Sequence, residues 1–391
     1  MSEKLQGLAA ARLIYSDRTK RVRELKAEGH RIMGYVCLYP PLEMMTALGF
    51  VPYRIFGRYG EPVSAADTVF TPVVCHFLRS MVDQGMKGNY SFLDGIIGSH
   101  TCDIGSVAVH IWKDYIPEPN FVYFIDVPHT DHLPAQEYFK SQILDLKRKM
   151  EEFAGQEITD SMLAEAISLH NRQRQLVREL YELRKADPSP LSGTENLEVM
   201  VASCSLPVKE GNELLQQVIE EVKERSRDRL DDRARVMVWG TVLDNSALLQ
   251  VIEESGATVV IDDTCIGTRA YWDDIPLNGD PWDALTRRYL VDLKCPRTYR
   301  QASYGQLKRD YDADLDSRFG YLKNMAQDWK AQGVILQSLK YCDSHGYDVP
   351  GIRHYLDTLG IPSIYIEHDY TEGSLAPIRT RIEAFVETIK V

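Results

Sequence analysis

The sequence has no closely spaced cysteine pair, although it contains seven cysteines in 391 residues. Structural zinc sites usually take ligands from Cys-x-x-Cys pairs, and thioredoxin-like redox proteins carry the same motif. The sequence also lacks the glycine-rich loop with which nucleotide-hydrolysing proteins hold phosphates. These absences argue against a zinc ribbon, a thioredoxin-like enzyme and a nucleotide hydrolase.

Long hydrophobic runs and an excess of positive charge are lacking too. No apolar run approaches the roughly 20 residues of a membrane helix, and the first residues lack the basic-then-apolar pattern of a secretory signal. The net charge of -12 argues against nucleic-acid binding, because phosphate affinity depends on clustered basic residues. We therefore expect a cytoplasmic protein with no nucleic-acid or membrane partner. In that reducing compartment, cysteines are thiols, metal ligands or redox groups rather than a disulfide framework.

The sequence does contain two similar apolar runs, each followed by Cys-Asp. Residues 93–99 lead to Cys102 and Asp103, and residues 333–339 lead to Cys342 and Asp343. Short continuous apolar runs are typical of strands buried in parallel sheets. In open α/β sheets, ligands bind outside the carboxyl ends of the strands. Both cysteines are therefore expected where a cofactor would lie.

Strands alternate with helices in two stretches of the chain that follow the same order. This alternation indicates parallel sheets joined by right-handed crossovers. We predict an α/β fold of two doubly wound parallel-sheet domains, flavodoxin- or Rossmann-like, that face each other with a helical segment between them. The predicted division is residues 1–30 as an N-terminal helical segment, 31–133 as the first α/β domain, 134–232 as a helical linker domain and 233–391 as the second α/β domain.

Apolar patterns predict six further strands, which gives about four strands to each domain. They are Arg31–Tyr39, Val51–Phe56, Phe121–Val127, Val236–Gly240, Ala257–Ile261 and Ser363–Glu367. Between the two sets, residues 134–230 show the 3.6-residue periodicity of helices, with a break at Asp187-Pro188-Ser189-Pro190.

Six of the seven cysteines follow apolar strands or lie in adjoining loops: Cys37, Cys75, Cys102, Cys265, Cys295 and Cys342. The seventh, Cys204, lies in the helical part. A single buried cysteine is most often a small core hydrophobe. Six thiols at strand ends exceed what core filling requires, and dispersed cysteines brought together by folding are compatible with an iron–sulfur cluster. The residues alone leave both interpretations open.

Five motifs together resemble the superfamily of 2-hydroxyacyl-CoA dehydratases, benzoyl-CoA reductases and double-cubane cluster proteins. The resemblance extends from about residue 30 to the end, and it depends on the order of motifs that are individually weak. The motifs are Gly34-Tyr35-Val36-Cys37 before Pro40-Pro41, Cys75-His76-Phe77-Leu78-Arg79-Ser80, His100-Thr101-Cys102-Asp103, Leu180-Tyr181-Glu182-Leu183-Arg184 before Asp187-Pro188, and Ile378-Arg379-Thr380-Arg381-Ile382-Glu383-Ala384-Phe385.

The resemblance implies a cluster and its ligands. Cysteines at the positions of Cys75, Cys102 and Cys342 would hold a [4Fe-4S] cluster whose fourth iron is open. Three others match cysteines of the double-cubane branch, which implies a double-cubane [8Fe-9S] cluster as the alternative: Cys37, Cys265 and Cys295. The residues after Cys102-Asp103, Ile104-Gly105-Ser106, instead resemble the acyl-CoA branch.

The implied function is that of an iron–sulfur subunit acting on an acyl-CoA thioester, by reduction of benzoyl-CoA or dehydration of a 2-hydroxyacyl-CoA. Its partners would be a sister subunit of the same fold and a separate ATP-hydrolysing activator with its own [4Fe-4S] cluster. The alternative is a homodimeric double-cubane protein that reduces small molecules. A metal-free α/β binding protein remains if the resemblance misleads.

Candidate polar residues flank the cysteines. His76 and His100 are candidate proton donors, with His345 of equal standing, and each has a structural hydrogen-bonding role as its alternative. Asp103 and Asp343 are expected to cap helices or orient ligand loops. Four arginines are candidates for CoA phosphates, with ion pairing as the more common role: Arg79, Arg269, Arg379 and Arg381. Glu43 and Glu367 stand at sheet ends without an assigned role.

Overall fold

A computed structural model describes residues 6–225 and 232–390. Residues 1–5 of the predicted N-terminal segment, residues 226–231 of the predicted linker and Val391 lie outside the described residues. Within the described ranges, no helix combines the length and apolar character needed to cross a membrane.

The first part of the chain forms two helices and then a parallel α/β unit. Its elements are α1 (Gly7–Ser16), α2 (Lys20–Ala27), β1 (Arg31–Tyr35), α3 (Leu42–Ala47), β2 (Phe50–Arg54), α4 (His76–Met86), β3 (Gly95–Ser99), α5 (Asp103–Tyr115) and β4 (Phe121–Ile125). All strand pairs are parallel, and the order across the sheet is β2-β1-β3-β4. Crossovers therefore run in opposite directions from the β1/β3 pair, which creates a crevice at its carboxyl end.

Four helices follow: α6 (Leu133–Ala154), α7 (Asp160–Leu183), α8 (Gly193–Ser203) and α9 (Val208–Glu224). Helix α7 contacts both α/β units. Its Arg174 pairs with Glu43 of α3 at 2.5 Å, and its Tyr181 hydroxyl donates to Asp262 of the second unit at 2.6 Å. Helix α1 packs against α8 and α9. The helices fall where the linker domain is predicted, and the domain boundaries themselves stay a prediction.

The second unit repeats the first. Its elements are β5 (Ala234–Gly240), α10 (Ala247–Glu254), β6 (Ala257–Asp263), α11 (Thr268–Tyr271), α12 (Pro281–Thr286), a π-helical turn (Arg287–Asp292), α13 (Tyr311–Asp328), β7 (Gly333–Leu339), α14 (Asp343–Gly346), α15 (Val349–Thr358), β8 (Ser363–His368) and α16 (Leu375–Lys390). The order is β6-β5-β7-β8, again entirely parallel. The two sheets thus share one topology, and the predicted fold class is confirmed.

The central strands form the core of each unit. Strands β3, β5 and β7 are buried along their whole length, as their largely apolar sequences predict. The predicted strand Arg31–Tyr39 is shorter, because β1 ends at Tyr35 and Cys37 then adopts a left-handed backbone with φ 72°. Few residues other than glycine adopt this conformation, and here it turns the chain away from the sheet directly after the strand.

Candidate functional site

Three cysteines stand at helix N-termini beside the carboxyl ends of the sheets. Cys75, Cys102 and Cys342, the first cysteine triad, are the N-cap residues of α4, α5 and α14. Backbone N–H groups of a first helical turn lack partners within the helix and donate to the capping residue. The Gly105 N–H donates to the Cys102 sulfur at 3.2 Å. A Cβ at Gly105 would lie 2.5 Å from the Thr101 hydroxyl oxygen, so glycine permits this close turn.

The thiols of the first cysteine triad affect one another electrostatically. Burial raises the pKa of Cys342 well above its ordinary value, and the neighbouring Cys75 and Cys102 raise it further. Burial also raises the pKa of Cys75 to about 11, with a further rise from Cys102. Two thiolates repel only when close, so these effects place the three sulfurs in one neighbourhood. All seven cysteines of the chain are free thiols.

The first cysteine triad spans both α/β units. Cys75 and Cys102 belong to the first unit and Cys342 to the second. The Ser344 hydroxyl donates to the Thr101 carbonyl oxygen at 3.2 Å, which joins α14 directly to the loop between β3 and α5. The carboxyl ends of the two sheets therefore meet at this point.

Cys37, Cys265 and Cys295, the second cysteine triad, lie together close to the first. Burial raises the pKa of Cys37 well above its ordinary value, and Cys265 and Cys295 raise it further. Cys265 also contributes to the raised pKa of Cys342, which places the two triads side by side. Six thiols are thus gathered where the two sheets meet, and Cys204 is instead buried at the end of α8.

Two buried arginines face the second cysteine triad. Burial lowers the pKa of Arg54, but Tyr35, Cys204 and Cys265 around it raise that pKa by more. Arg269 contacts the Cys265 sulfur at 3.6 Å. Cations beside thiols favour the thiolate, which is the form that binds metals. Arg54 is not among the residues predicted from the sequence, although a charged residue that ends the strand next to β1 is a signal for it.

The three candidate histidines occupy different surroundings. His76 is half-buried beside Tyr370, and burial followed by Arg79 lowers its pKa. The His100 Nδ1 lies 2.9 Å from an Asp126 oxygen. His345 is buried, and its Nδ1 lies 3.4 Å from the Cys342 sulfur. All three therefore lie near the cysteines, and their role in proton transfer stays a prediction.

Of the other candidate polar residues, the arginines and Glu43 are engaged in structural contacts. Cysteines take the N-cap positions, so Asp103 and Asp343 stand in the first helical turn instead. Arg79 bonds Asp67, Arg379 bonds Glu254, and Arg381 donates to the Tyr365 carbonyl oxygen. Glu43 is fully buried with Arg174, whereas Glu367 is exposed at the end of β8. The arginines therefore have partners within the chain.

No group of three or more histidine, cysteine or acidic side chains within residues 6–225 and 232–390 converges on a point where one metal ion could bind. An iron–sulfur cluster places a different requirement on its ligands, because each thiolate binds its own iron atom. Three neighbouring thiols from three separate loops, faced by helix N-termini, fit that requirement.

A partly open cavity of about 40 Å³ lies beside Cys37. Three buried arginines contribute to its lining: Arg54, Arg174 and Arg288. The cavity therefore places three guanidinium groups beside a thiol of the second cysteine triad.

Comparison with known proteins identifies the family. Residues 37–389 match the family described as 2-hydroxyglutaryl-CoA dehydratase, D-component. The chain belongs to this family. The matched range contains all six cysteines of the two triads.

Individual relatives align over nearly their whole length. The chain is 27% identical to the (R)-phenyllactyl-CoA dehydratase beta subunit of Clostridium sporogenes, over 94% of each chain. It is 26% identical to a subunit of benzoyl-CoA reductase from Thauera aromatica, over 92% of this chain and 91% of the relative. It is 23% identical to the beta subunit of (R)-2-hydroxyglutaryl-CoA dehydratase of Acidaminococcus fermentans, over 93% and 94%. These relatives support enzymatic activity of the lyase or oxidoreductase type.

Proposed function

We propose that this chain is the iron–sulfur subunit of an ATP-dependent, low-potential enzyme acting on an acyl-CoA thioester. The reaction is either the dearomatising reduction of benzoyl-CoA or the dehydration of a 2-hydroxyacyl-CoA. The observation that carries the proposal is the first cysteine triad, since three thiols from both units lie together in a chain of this family. We propose that these thiols hold a [4Fe-4S] cluster.

The residues around the triad suit this cofactor. A cluster held by three thiolates would leave one iron free to bind a substrate oxygen and to pass single electrons. The raised pKa values of Cys75 and Cys342 mean that metal binding must release protons, because the thiolate is the ligand. The N–H of Gly105 is already directed at Cys102, so it stabilises the charge on that sulfur.

His100 is the better placed of the two proposed proton donors, His76 and His100. The Asp126 carboxylate can only accept a hydrogen bond, so His100 carries a proton on Nδ1 and leaves Nε2 for exchange. The second Asp126 oxygen accepts from the exposed Tyr138 hydroxyl at 2.7 Å. This arrangement lies two residues from Cys102 and extends to the surface, which suits delivery of protons to the site.

Two partners follow from the proposal. The relatives named above are individual subunits of larger enzymes, which supports a sister subunit for this chain. The sequence lacks a phosphate-holding glycine loop, so ATP hydrolysis is assigned to a separate activator that carries its own [4Fe-4S] cluster. We expect the assembly in the cytoplasm.

A second candidate function is supported by the second cysteine triad. If Cys37, Cys265 and Cys295 also bind iron, the chain would hold a double-cubane [8Fe-9S] cluster and act as a homodimer on small molecules. The mutual proximity of these thiols and the two buried cations beside them favour this alternative.

Anaerobic purification followed by iron and sulfide analysis tests both functions. About four irons per chain supports the [4Fe-4S] subunit, and about eight supports the double cubane. A chain that contains no iron contradicts both functions. Activity is then measured with the sister subunit, the activator, ATP and either benzoyl-CoA or 2-hydroxyacyl-CoA thioesters. A four-iron chain that converts neither class under these conditions would contradict the proposed reaction.

A further inference from the structure

One buried guanidinium lies between the two cysteine triads. Arg269 is 3% exposed, and its Nη2 donates to the side chain and the backbone carbonyl of Asp263 at 2.9 and 2.8 Å. Its Nη1 lies 3.0 Å from the Gly240 carbonyl oxygen, 3.6 Å from the Cys265 sulfur and 3.0 Å from the His345 Nε2. Arg269 therefore contacts one triad directly and approaches the other through His345.

The contact with Arg269 determines which nitrogen of His345 carries the proton. The Gly240 carbonyl oxygen also lies near this ring, but it accepts from the Arg269 Nη1. A guanidinium has donors and no acceptor, so at 3.0 Å from Nη1 the His345 Nε2 accepts. The proton of the neutral ring is then on Nδ1, which lies 3.4 Å from the Cys342 sulfur. Nδ1–H is thus the donor to that sulfur.

The surroundings hold both side chains in place. The Trp239 ring lies 5.3 Å from the His345 ring and 5.8 Å from the Arg269 guanidinium carbon. The Tyr321 hydroxyl donates to the same Asp263 oxygen that Arg269 contacts, at 2.8 Å. Neither the guanidinium nor the imidazole can turn without breaking these contacts.

We propose that Arg269 is a positioning residue that fixes His345 as its Nδ1–H tautomer and thereby directs a hydrogen bond to the Cys342 sulfur. Its consequence for redox chemistry rests on the proposed function, in which Cys342 is a cluster ligand. Donors to cluster sulfurs stabilise the more negative, reduced form, so this bond raises the reduction potential. Because Arg269 also contacts Cys265, the same residue connects the two cysteine triads.

The tautomer is measured directly in the metal-free full-length chain. Long-range proton–nitrogen NMR of histidine labelled with ¹⁵N distinguishes Nδ1–H from Nε2–H, and the spectrum of His345→Asn identifies the His345 signals. We expect Nδ1–H in the wild-type chain and a mixture in Arg269→Lys. An Nε2–H ring or an imidazolium in the wild-type chain would overturn the proposal.

The redox consequence is measured on the iron-loaded chain by potentiometric titration. Arg269→Lys keeps the charge, so a more negative midpoint potential in this variant reports the altered hydrogen bonding. His345→Asn places an amide donor near the Nδ1 position, and this donor does not depend on contact with Arg269. Adding Arg269→Lys to His345→Asn should therefore cause no further shift of the midpoint potential. An equal shift from Arg269→Lys in both backgrounds would contradict action through His345.

Arg235→Lys is the matched control. Arg235 is a buried arginine that bonds backbone carbonyl oxygens, including those of Trp329 and Ala186. We expect it to leave the potential unchanged, and a shift equal to that of Arg269→Lys would indicate a general packing effect and overturn the proposal. A chain that binds no iron would refute the proposed function, while the NMR result would still decide the tautomer.

Discussion

The Ser344 hydroxyl donates to the Thr101 carbonyl oxygen, and this 3.2 Å bond crosses between residues 243 positions apart in the sequence. Thr101 precedes Cys102, and Ser344 follows Cys342 by two residues. The bond therefore joins the loop after β3 to the first turn of α14, which follows β7. The spacing of two thiols of the first cysteine triad depends on how firmly these two segments are held together.

Ser344→Ala should make bound iron easier to remove. A neutral hydrogen bond of this kind contributes about 1 kcal/mol, which corresponds to about a fivefold change in an equilibrium constant. We expect iron transfer to a chelator to increase by about that factor. Ser141→Ala is the control, since Ser141 is exposed and donates only to the Tyr138 carbonyl oxygen within α6. Equal iron retention in both variants would show that the hydrogen bond between Ser344 and Thr101 does not stabilise the bound iron.

Alanine at any position of the first cysteine triad should abolish cluster binding. Each thiolate holds a separate iron, so two remaining thiols leave the cluster without adequate support. The comparison is Cys204→Ala, which removes a buried thiol from the end of α8. Iron analysis of anaerobically purified Cys102→Ala, Cys342→Ala and Cys204→Ala chains measures the difference. Full iron content in Cys102→Ala would show that Cys102 is not a cluster ligand.

Cys37→Ala separates the two proposed cofactors. If only the first cysteine triad binds iron, we expect this variant to keep its four or so irons. In a double-cubane protein the same substitution removes one half of the ligand set, and the iron content should fall by about half or more. The measurement is the iron-to-protein ratio, compared with that of the wild-type chain prepared in parallel.

The parallel strands could be predicted because their sequences contain short apolar runs bounded by polar turns. Strand Gly333–Leu339 starts with the apolar run Gly333–Leu336, and it continues through the buried polar residues Gln337 and Ser338. The run from Arg31 could not be delimited in this way, since Val36, Cys37 and Leu38 are also apolar. The strand ends there because Cys37 takes a positive φ, and no local residue type signals that turn.

The position of the cysteines followed from topology, because strands of a parallel sheet end at the same edge. The contacts among the side chains around these cysteines did not follow from topology. Arg269 and His345 are 76 residues apart, and they meet because α11 follows β6 and α14 follows β7 at the carboxyl edge of one parallel sheet. From the sequence, Arg269 is a candidate for CoA phosphates or for an ion pair, and its burial with Asp263 supports the ion pair.

Glu43→Ala should strongly destabilise the chain. Glu43 is fully buried, and its carboxylate accepts from Arg174 at 2.5 Å and from the Tyr289 hydroxyl at 2.7 Å. Removing one partner of a buried ion pair typically costs about 3–5 kcal/mol, because the other charge is left uncompensated. Urea unfolding followed by circular dichroism measures the loss. Glu152→Ala, which removes an exposed partner of Arg148, should leave the unfolding midpoint nearly unchanged.

The ion pair of Glu43 and Arg174 also predicts a loss of stability at acid pH. Burial opposes ionisation of Glu43, but Arg174, followed by His170 and Tyr289, lowers its pKa to about 2 from an ordinary 4.5. The stabilisation is therefore complete above about pH 4.5 and is lost as the pH falls towards 2. Against the wild-type chain, Glu43→Gln should lose less stability over that interval. Identical acid unfolding curves would contradict this role.

His368 should lower the free energy of unfolding as the pH falls from 8 to 6. Burial lowers its pKa to about 4 from 6.5, and its ring lies 3.1 Å from the Gln337 amide oxygen, to which a neutral Nε2–H donates. Between these two pKa values the unfolded chain binds the proton and the folded chain does not, so stability decreases as the pH falls through 6.5. One such group lowers the free energy of unfolding by about 1 kcal/mol by pH 6.

His368→Gln retains a donor to Gln337 and should reduce the pH dependence of urea unfolding by this amount. Substitution of the exposed His30 by Gln should not reduce it. An unchanged pH dependence in His368→Gln would show that His368 is not the neutral buried group inferred from its contacts.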